Sequence, residues 1–269
     1  QEYGCDWTEA SAWSIDAIQE FKGRDLIFPT GFDGITAHLA QGLQIRTGRR
    51  AVRLAPRAGG GVQVTLADGS QHSADHVIVT LPLGVLKSGD LAFAEPLAKA
   101  GKDAIRDLRM GTLAKTWLRF DRIAWPEDVD WIEWLGPKPG AWAQWLSLGR
   151  GIKAPVLLAF HAGAAGRAIE AMPEGAVMAA AHEALRAMFG SRFPAPVAAQ
   201  VSQWSRDPLA GGAYSFNAIG CTDATRRALA GADWGGRLHF AGEAAIAGYF
   251  GTAHGAILSG RAAAAAITG

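Results

Sequence analysis

"HFAGEAAIAGYFGTAHGAILSGRAAAAAI", His239–Ile267, decides the fold. A short apolar strand, Arg237 to Ala241, runs into Gly242-Glu243. A loop with two aromatics, Tyr249 and Phe250, follows, and a helix of small residues closes the chain. That helix is read as opening at Gly251-Thr252 with no bulky side chain on its first turn. The sequence therefore predicts that something lies against this turn, at the free N–H groups of a helix start.

Working outward, strands are expected at Ala51–Leu54, Val62–Leu66 and His76–Leu81, with turns at Gly59-Gly60-Gly61 and Asp68-Gly69. The last of these is a nearly continuous apolar run, the pattern of a strand buried on both faces, and it ends at Pro82. Residues 8–22 and Gly34–Leu43 read as helices, as do residues 97–109 and the stretch that Pro173-Glu174 opens, to about Phe189. Thr112–Phe120 alternates. Leu113, Lys115, Trp117 and Arg119 share one face; Ala114, Thr116, Leu118 and Phe120 share the other. Lys115 beside Leu113 and Trp117 argues for an enclosed position. Further strands are expected at Trp142–Leu148, Val156–Phe160 and Val197–Trp204, and Thr222-Asp223 caps a short helix.

The 269 residues are 49% hydrophobic and 19% charged, an ordinary globular balance, and the formal net charge of +1 gives no basic surface for nucleic acid. No apolar run approaches a transmembrane length. Cys5 and Cys221 are read as two free thiols, and no metal-ligand spacing occurs, so no metal is expected. Five of the ten tryptophans, Trp125, Trp131, Trp134, Trp142 and Trp145, crowd one region, as a thick core or as an aromatic-lined cavity. The first residue is Gln, and no signal peptide follows; the chain is expected to be processed, trimmed or one piece of something larger. Gly149–Ala154 fits G-x-G-x-x-A, but Pro155 and a strand follow where a phosphate site needs a helix, so it is read as a hairpin loop.

Four stretches together resemble the flavin-dependent amine oxidase family of monoamine oxidases, polyamine oxidases and flavin-type histone lysine demethylases. They are "ADHVIVTLPLGVLK" (Ala74–Lys87), "MGTLAKTWLRFDRIAWP" (Met110–Pro126), "WSRDPLAGGAYSF" (Trp204–Phe216) and the opening stretch, in the family's order. The resemblance implies a mixed α/β and α+β fold. Residues 45–82 and 236–269 would form part of a glutathione-reductase-like FAD-binding domain, and residues 1–44 and 83–235 a mixed-sheet substrate domain. The family's G-x-G-x-x-G turn is not in this sequence. A partner chain carrying that dinucleotide-binding half is therefore expected.

The same resemblance implies the site. Lys115 stands where the family's lysine reaches flavin N5 through a water; Tyr214 and Tyr249 stand where two aromatics orient the amine. Trp204 would lie near the flavin ring, Pro82 beside the cofactor, and Ala51 or Val52 against the adenine. Gly242 and Glu243 would meet the ribityl-pyrophosphate region, and Gly251, Thr252 and Ala253 the pyrimidine side of the ring. Ala213 replaces the cysteine that bonds the flavin in monoamine oxidases, so FAD would be held non-covalently. Bland alternatives stand beside each: a surface lysine, core tyrosines, a helix-terminal carboxylate. The reaction implied is oxidation of an amine to an imine with dioxygen reduced to hydrogen peroxide. The Trp-rich region points to an apolar or aromatic amine rather than a long polyamine. An L-amino-acid oxidase and a non-catalytic scaffold are the other readings.

Overall fold

The computed structural model describes every residue except 16, 20, 24, 25 and 27. In chain order the elements are α1 (Asp33–Leu39), β1 (Ala51–Pro56), β2 (Val62–Leu66), β3 (Gln71–Ala74), β4 (Val77–Val79), α2 (Leu83–Ser88), β5 (Ala92–Phe93), α3 (Lys99–Asp107), β6 (Arg109–Met110) and β7 (Leu113–Arg119). Then come β8 (Trp131–Glu133), β9 (Gln144–Ser147), α4 (Gly149–Ile152), β10 (Val156–Ala162), α5 (Gly163–Glu170), α6 (Glu174–Phe189), β11 (Ala198–Val201), β12 (Ser215–Phe216), α7 (Asp223–Leu229), β13 (Ala232–Asp233), β14 (Leu238–Phe240) and α8 (Ala253–Thr268). The mixed α/β and α+β class expected from the sequence is the class observed.

Among the described residues the strands form four sheets, ordered β3-β2-β1-β5, β13-β14-β4, β12-β6 and β11-β7-β10-β9-β8. The five-stranded sheet is antiparallel throughout. Its Ala114, Leu118, Leu157 and Ala159 pack with Val177, Ala181 and Leu185 of α6, all fully buried. At roughly 1.5–3 kcal/mol for each large apolar side chain taken out of water, this layer holds much of the stability. In the three-stranded sheet β4 and β14 run parallel, with Ile78 opposite His239 and Phe240 opposite Val79. Both therefore end at the same edge, where parallel sheets leave a crevice for a ligand.

Several expectations need correction. Residues 8–22 contain only a 3-10 turn, Ala12–Ser14, in their described part, and residues 16 and 20 lie outside the described residues. Trp13 is 96% exposed, so the helical period there faces no core. The strand expected over His76–Leu81 is limited to β4, and its Val77 and Ile78 are only half-buried. β11 ends at Val201, and Trp204–Arg206 is a separate 3-10 turn. Gly149–Ile152 forms one helical turn between antiparallel β9 and β10, a hairpin connection as expected, though helical rather than loop.

Candidate active site

The edge shared by β4 and β14 opens into a cavity of about 310 Å³. Pro82, Trp204, Gly242 and Glu243, four residues named from sequence, line it together with Ala213 and Ala256 of α8. Gly242 has φ +136°, which favours glycine, and a Cβ built there would meet no atom of the chain within 4 Å. The space in front of it is left open on the cavity side. Its N–H donates to Ser259 Oγ of α8 (3.2 Å), which ties the strand end to the helix. Ala51 and Val52 sit on β1 in the four-stranded sheet and do not line this cavity.

Glu243 is the hub of the wall. Ser215 N–H donates to its Oε1 (3.1 Å), Ser215 Oγ–H to its Oε2 (2.6 Å), and Gly251 N–H to its Oε2 (2.8 Å). The carboxylate thus clasps β12 and the loop into α8 from the cavity wall. Arg226 backs it. The capping box of Thr222 and Thr225 starts α7 and turns Arg226 fully inward, at 0% exposure. Its Nε–H donates to Asn217 Oδ1 (2.7 Å) and its Nη1–H to Ser215 Oγ (2.8 Å) and to the Ala244 carbonyl (3.2 Å). The guanidinium lies 3.8 Å over the Phe250 ring. Burial pushes it down to about 10, opposed by the Glu243 and Asp223 charges, so it is a cation at neutral pH.

The loop into α8 is clamped from several sides. Gln19 N–H donates to the Gly248 carbonyl (2.6 Å). Phe21 stacks on Tyr249 with centroids 5.0 Å apart, and His254 meets Tyr249 edge-on at 5.5 Å. Thr252 is the N-cap of α8: its hydroxyl accepts from Gly255 N–H (3.0 Å) and donates to the Tyr249 carbonyl (2.6 Å). The helix starts at Ala253, two residues later than read from sequence. Its small first turn has a reason inside the chain, because a Cβ at Gly255 would run into the Tyr249 carbonyl oxygen. Gly251 N–H is already committed to Glu243, which leaves Thr252, Ala253 and His254 as the N–H groups of the helix start not engaged in the hydrogen bonds described.

A second cavity, of about 600 Å³, lies on the open face of the five-stranded sheet. It is lined by Leu113, Trp131, Glu133, Trp134, Gln144, Phe160 and Tyr214, with Gln1 and Glu2. Ala213 lines the first cavity and its chain neighbour Tyr214 the second. The Tyr214 hydroxyl faces the Gln1 and Glu2 carbonyls, each at 2.9 Å, and burial pushes its pKa well up, so it is a neutral donor. A Cβ at Gly251 would stand 3.3 Å from the Tyr214 ring, which puts Tyr214 against the α8 loop.

Lys115 pairs with Phe160 across β7 and β10, and Phe160 with Gln144 across β9, so all three stand on the open face. Lys115 and Leu113 are half-buried on that face, while Trp117, 39% exposed, and Arg119 lie open further along it. α5 and α6 cover the opposite one. Of the five clustered tryptophans, Trp125, Trp142 and Trp145 are core, while Trp131 and Trp134 line the cavity.

Sequence reading missed Ser215 and Arg226, and it missed Glu2 and Glu133 as cavity carboxylates. Arg226 carries no local signal, since its partners come from residues 215, 217, 244 and 250. Glu133 could have been found: it follows Trp131 at strand spacing, on the same face of β8. Cys5 and Cys221 are free thiols, both pushed up by burial.

A family model described as flavin containing amine oxidoreductase matches residues 1–268. The chain belongs to that family, and its cofactor is FAD. Polyamine oxidase 4 of Oryza sativa subsp. japonica is 35% identical over 263 residues, 97% of this chain and 53% of that protein. Lysine-specific histone demethylase 1 homolog 3 of Oryza sativa subsp. indica is 31% identical over 262 residues, 95% of this chain and 32% of that protein. A solved structure of putrescine oxidase bound to putrescine superimposes with a TM-score of 0.74 at 17% identity, covering 89% of this chain and 53% of that one. The chain thus spans about half the length of that polyamine oxidase and about a third of that demethylase. Among the described residues no helix is long and apolar enough to cross a membrane, and no three His, Cys, Asp or Glu side chains group to hold a metal.

Proposed function

We propose that this chain forms the substrate-facing part of an FAD-dependent amine oxidase. The observation that carries the reading is a pair of cavities lined by neighbouring residues, Ala213 on one and Tyr214 on the other. Open space in front of Gly242 and the apolar lining at Pro82 and Ala213 fit a flavin ring in the first. When bound, FAD supplies the two-electron chemistry, taking a hydride equivalent from the carbon beside nitrogen and passing its electrons to dioxygen to give hydrogen peroxide.

The chain's own residues bind and orient. Pro82, Trp204 and Gly242 would hold the ring, with the Thr252 and Ala253 N–H groups at a helix start, where negative charge is favoured. Glu243 organises the wall and keeps Gly251 in place. Ala51 or Val52 would meet the adenine end. Ala213 carries no sulfur, so FAD would be held non-covalently. Lys115 would hold a water beside the reacting centre and help move its proton. Tyr214 and Tyr249 would orient the amine through apolar and cation–π contact. Residues 45–82 and 236–269 would belong to the FAD-binding domain, and a partner chain carrying the dinucleotide-binding half would complete it.

Glu2 and Glu133 shift the substrate from the apolar amine expected from sequence. Two carboxylates beside Trp131, Trp134 and Phe160 suit an amine with a second ammonium group at a distance from the first. The test is a peroxide assay on the completed enzyme with a diamine, an arylalkylamine and an L-amino acid. Turnover of the diamine above the others supports the reading. Turnover of the amino acid alone would make it an amino-acid oxidase, and peroxide from none of the three would make it a scaffold.

A further inference from the structure

We propose that Arg226 is a positioning residue for the flavin site: acting through Ser215 and Glu243, its buried guanidinium fixes the backbone at Gly251 and with it the loop that carries Tyr249. The proposal rests on the FAD reading above. A guanidinium at 0% exposure is costly to bury, and the chain keeps one here although Nη2 finds no partner among the described residues. A merely space-filling side chain would avoid that cost.

The geometry points to what the charge does. Arg226 donates to Ser215 Oγ (2.8 Å), and with that lone pair engaged the Ser215 hydroxyl turns its own proton to Glu243 Oε2 (2.6 Å). The same oxygen accepts from Gly251 N–H (2.8 Å). Two bonds run in one direction from the cation through Ser215 to the anion, and Gly251 N–H donates to the same carboxylate oxygen from the other side, so the first two bonds fix where that acceptor stands. The ends of this set of bonds lie on α7 and on the loop before α8. Contacts to the Ala244 carbonyl and to the face of Phe250 tie the guanidinium to both sides of that loop. Ser215 and Asn217, its side-chain acceptors, are 1% and 3% exposed, so water does not compete.

Amide hydrogen exchange at Gly251 tests this on the full chain, in Arg226→Met, Arg226→Lys and Ser215→Ala. The Met and Ala variants are expected to exchange Gly251 faster by about tenfold or more, the loss of a charge-assisted bond. Amides of β10, in the five-stranded sheet, should keep their rates. Arg226→Lys, which restores a donor to Ser215, should fall between. FAD affinity, measured in the same preparations completed with the dinucleotide-binding half, should weaken in the same order. Unchanged exchange at Gly251 in Ser215→Ala overturns the proposal, as does a rise shared equally by β10. Ser215→Ala decides alone if Arg226→Met does not fold. Exchange that behaves as stated in a protein that takes up no FAD would leave the relay standing and count against the flavin reading.

Discussion

Gly255 lies directly under the carbonyl oxygen of Tyr249, and no side chain fits between them. The first turn of α8 is therefore small because its own preceding loop folds back over it. Gly255→Ala should cost about 1–3 kcal/mol, the usual penalty for overpacking a tight contact, and displace Tyr249. Denaturant unfolding measures the first and the near-ultraviolet signal of the loop aromatics the second. A variant as stable as the parent would mean that the loop does not pack as described.

His161 on β10 is fully buried, edge-on to Trp142 at 4.4 Å, and among the described residues neither ring nitrogen has a partner at full hydrogen-bond geometry. Burial pushes it down to about 4 from 6.5, with the nearby Ala114 backbone opposing. The unfolded chain therefore takes up the proton first, and stability falls as pH drops from 6.5 towards 4. The loss at pH 4 should reach roughly 3 kcal/mol. Urea unfolding of the parent should show this slope, and His161→Leu should flatten it. Equal slopes in the two proteins would contradict the assignment.

Lys87 closes the end of α3. Its Nζ donates to the carbonyls of Ile105 (2.8 Å), Arg106 (2.6 Å) and Leu108 (2.9 Å), groups a helix end otherwise leaves to water. Lys87→Met keeps the stem and removes the donors, and should cost about 1–2 kcal/mol. Thermal unfolding checks it; an unchanged midpoint would show that water replaces the lysine without loss.

Glu133 and Glu2 bear on substrate choice. Glu133→Gln in the completed enzyme should raise KM for a diamine about tenfold, or about 1.4 kcal/mol, and leave a monoamine within a factor of about two. Steady-state kinetics on the two substrates reads this. Equal effects on both would take Glu133 out of the ammonium site.

Local chemistry made some of this legible in advance. The start of α6 was readable because Pro173 cannot continue a helix backwards and Glu174 favours its start. Thr222 announced α7 in the same way. The alternation of β7 gave two faces correctly, but which face the helices cover depends on α5 and α6, forty and more residues on; they cover the face opposite Lys115, which is itself half-buried. β3 was invisible because three of its four residues are polar, all four are exposed, and they are held by pairing with β2 alone. The helix expected over residues 8–22 had the right period and no core to bury it against. In the site, Pro82, Trp204, Gly242 and Glu243 were legible as motif residues. Arg226 was not, since a charged residue on a short helix reads as surface until the fold closes over it.

The central claim is that the cavity at the ends of β4 and β14 holds a flavin that oxidises an amine. It is tested most directly by the visible spectrum of the chain purified together with the dinucleotide-binding half. The account predicts a flavin absorption band that bleaches when a diamine is added without oxygen and returns on exposure to air. A preparation with no flavin band, or with a band that no amine bleaches, would contradict it.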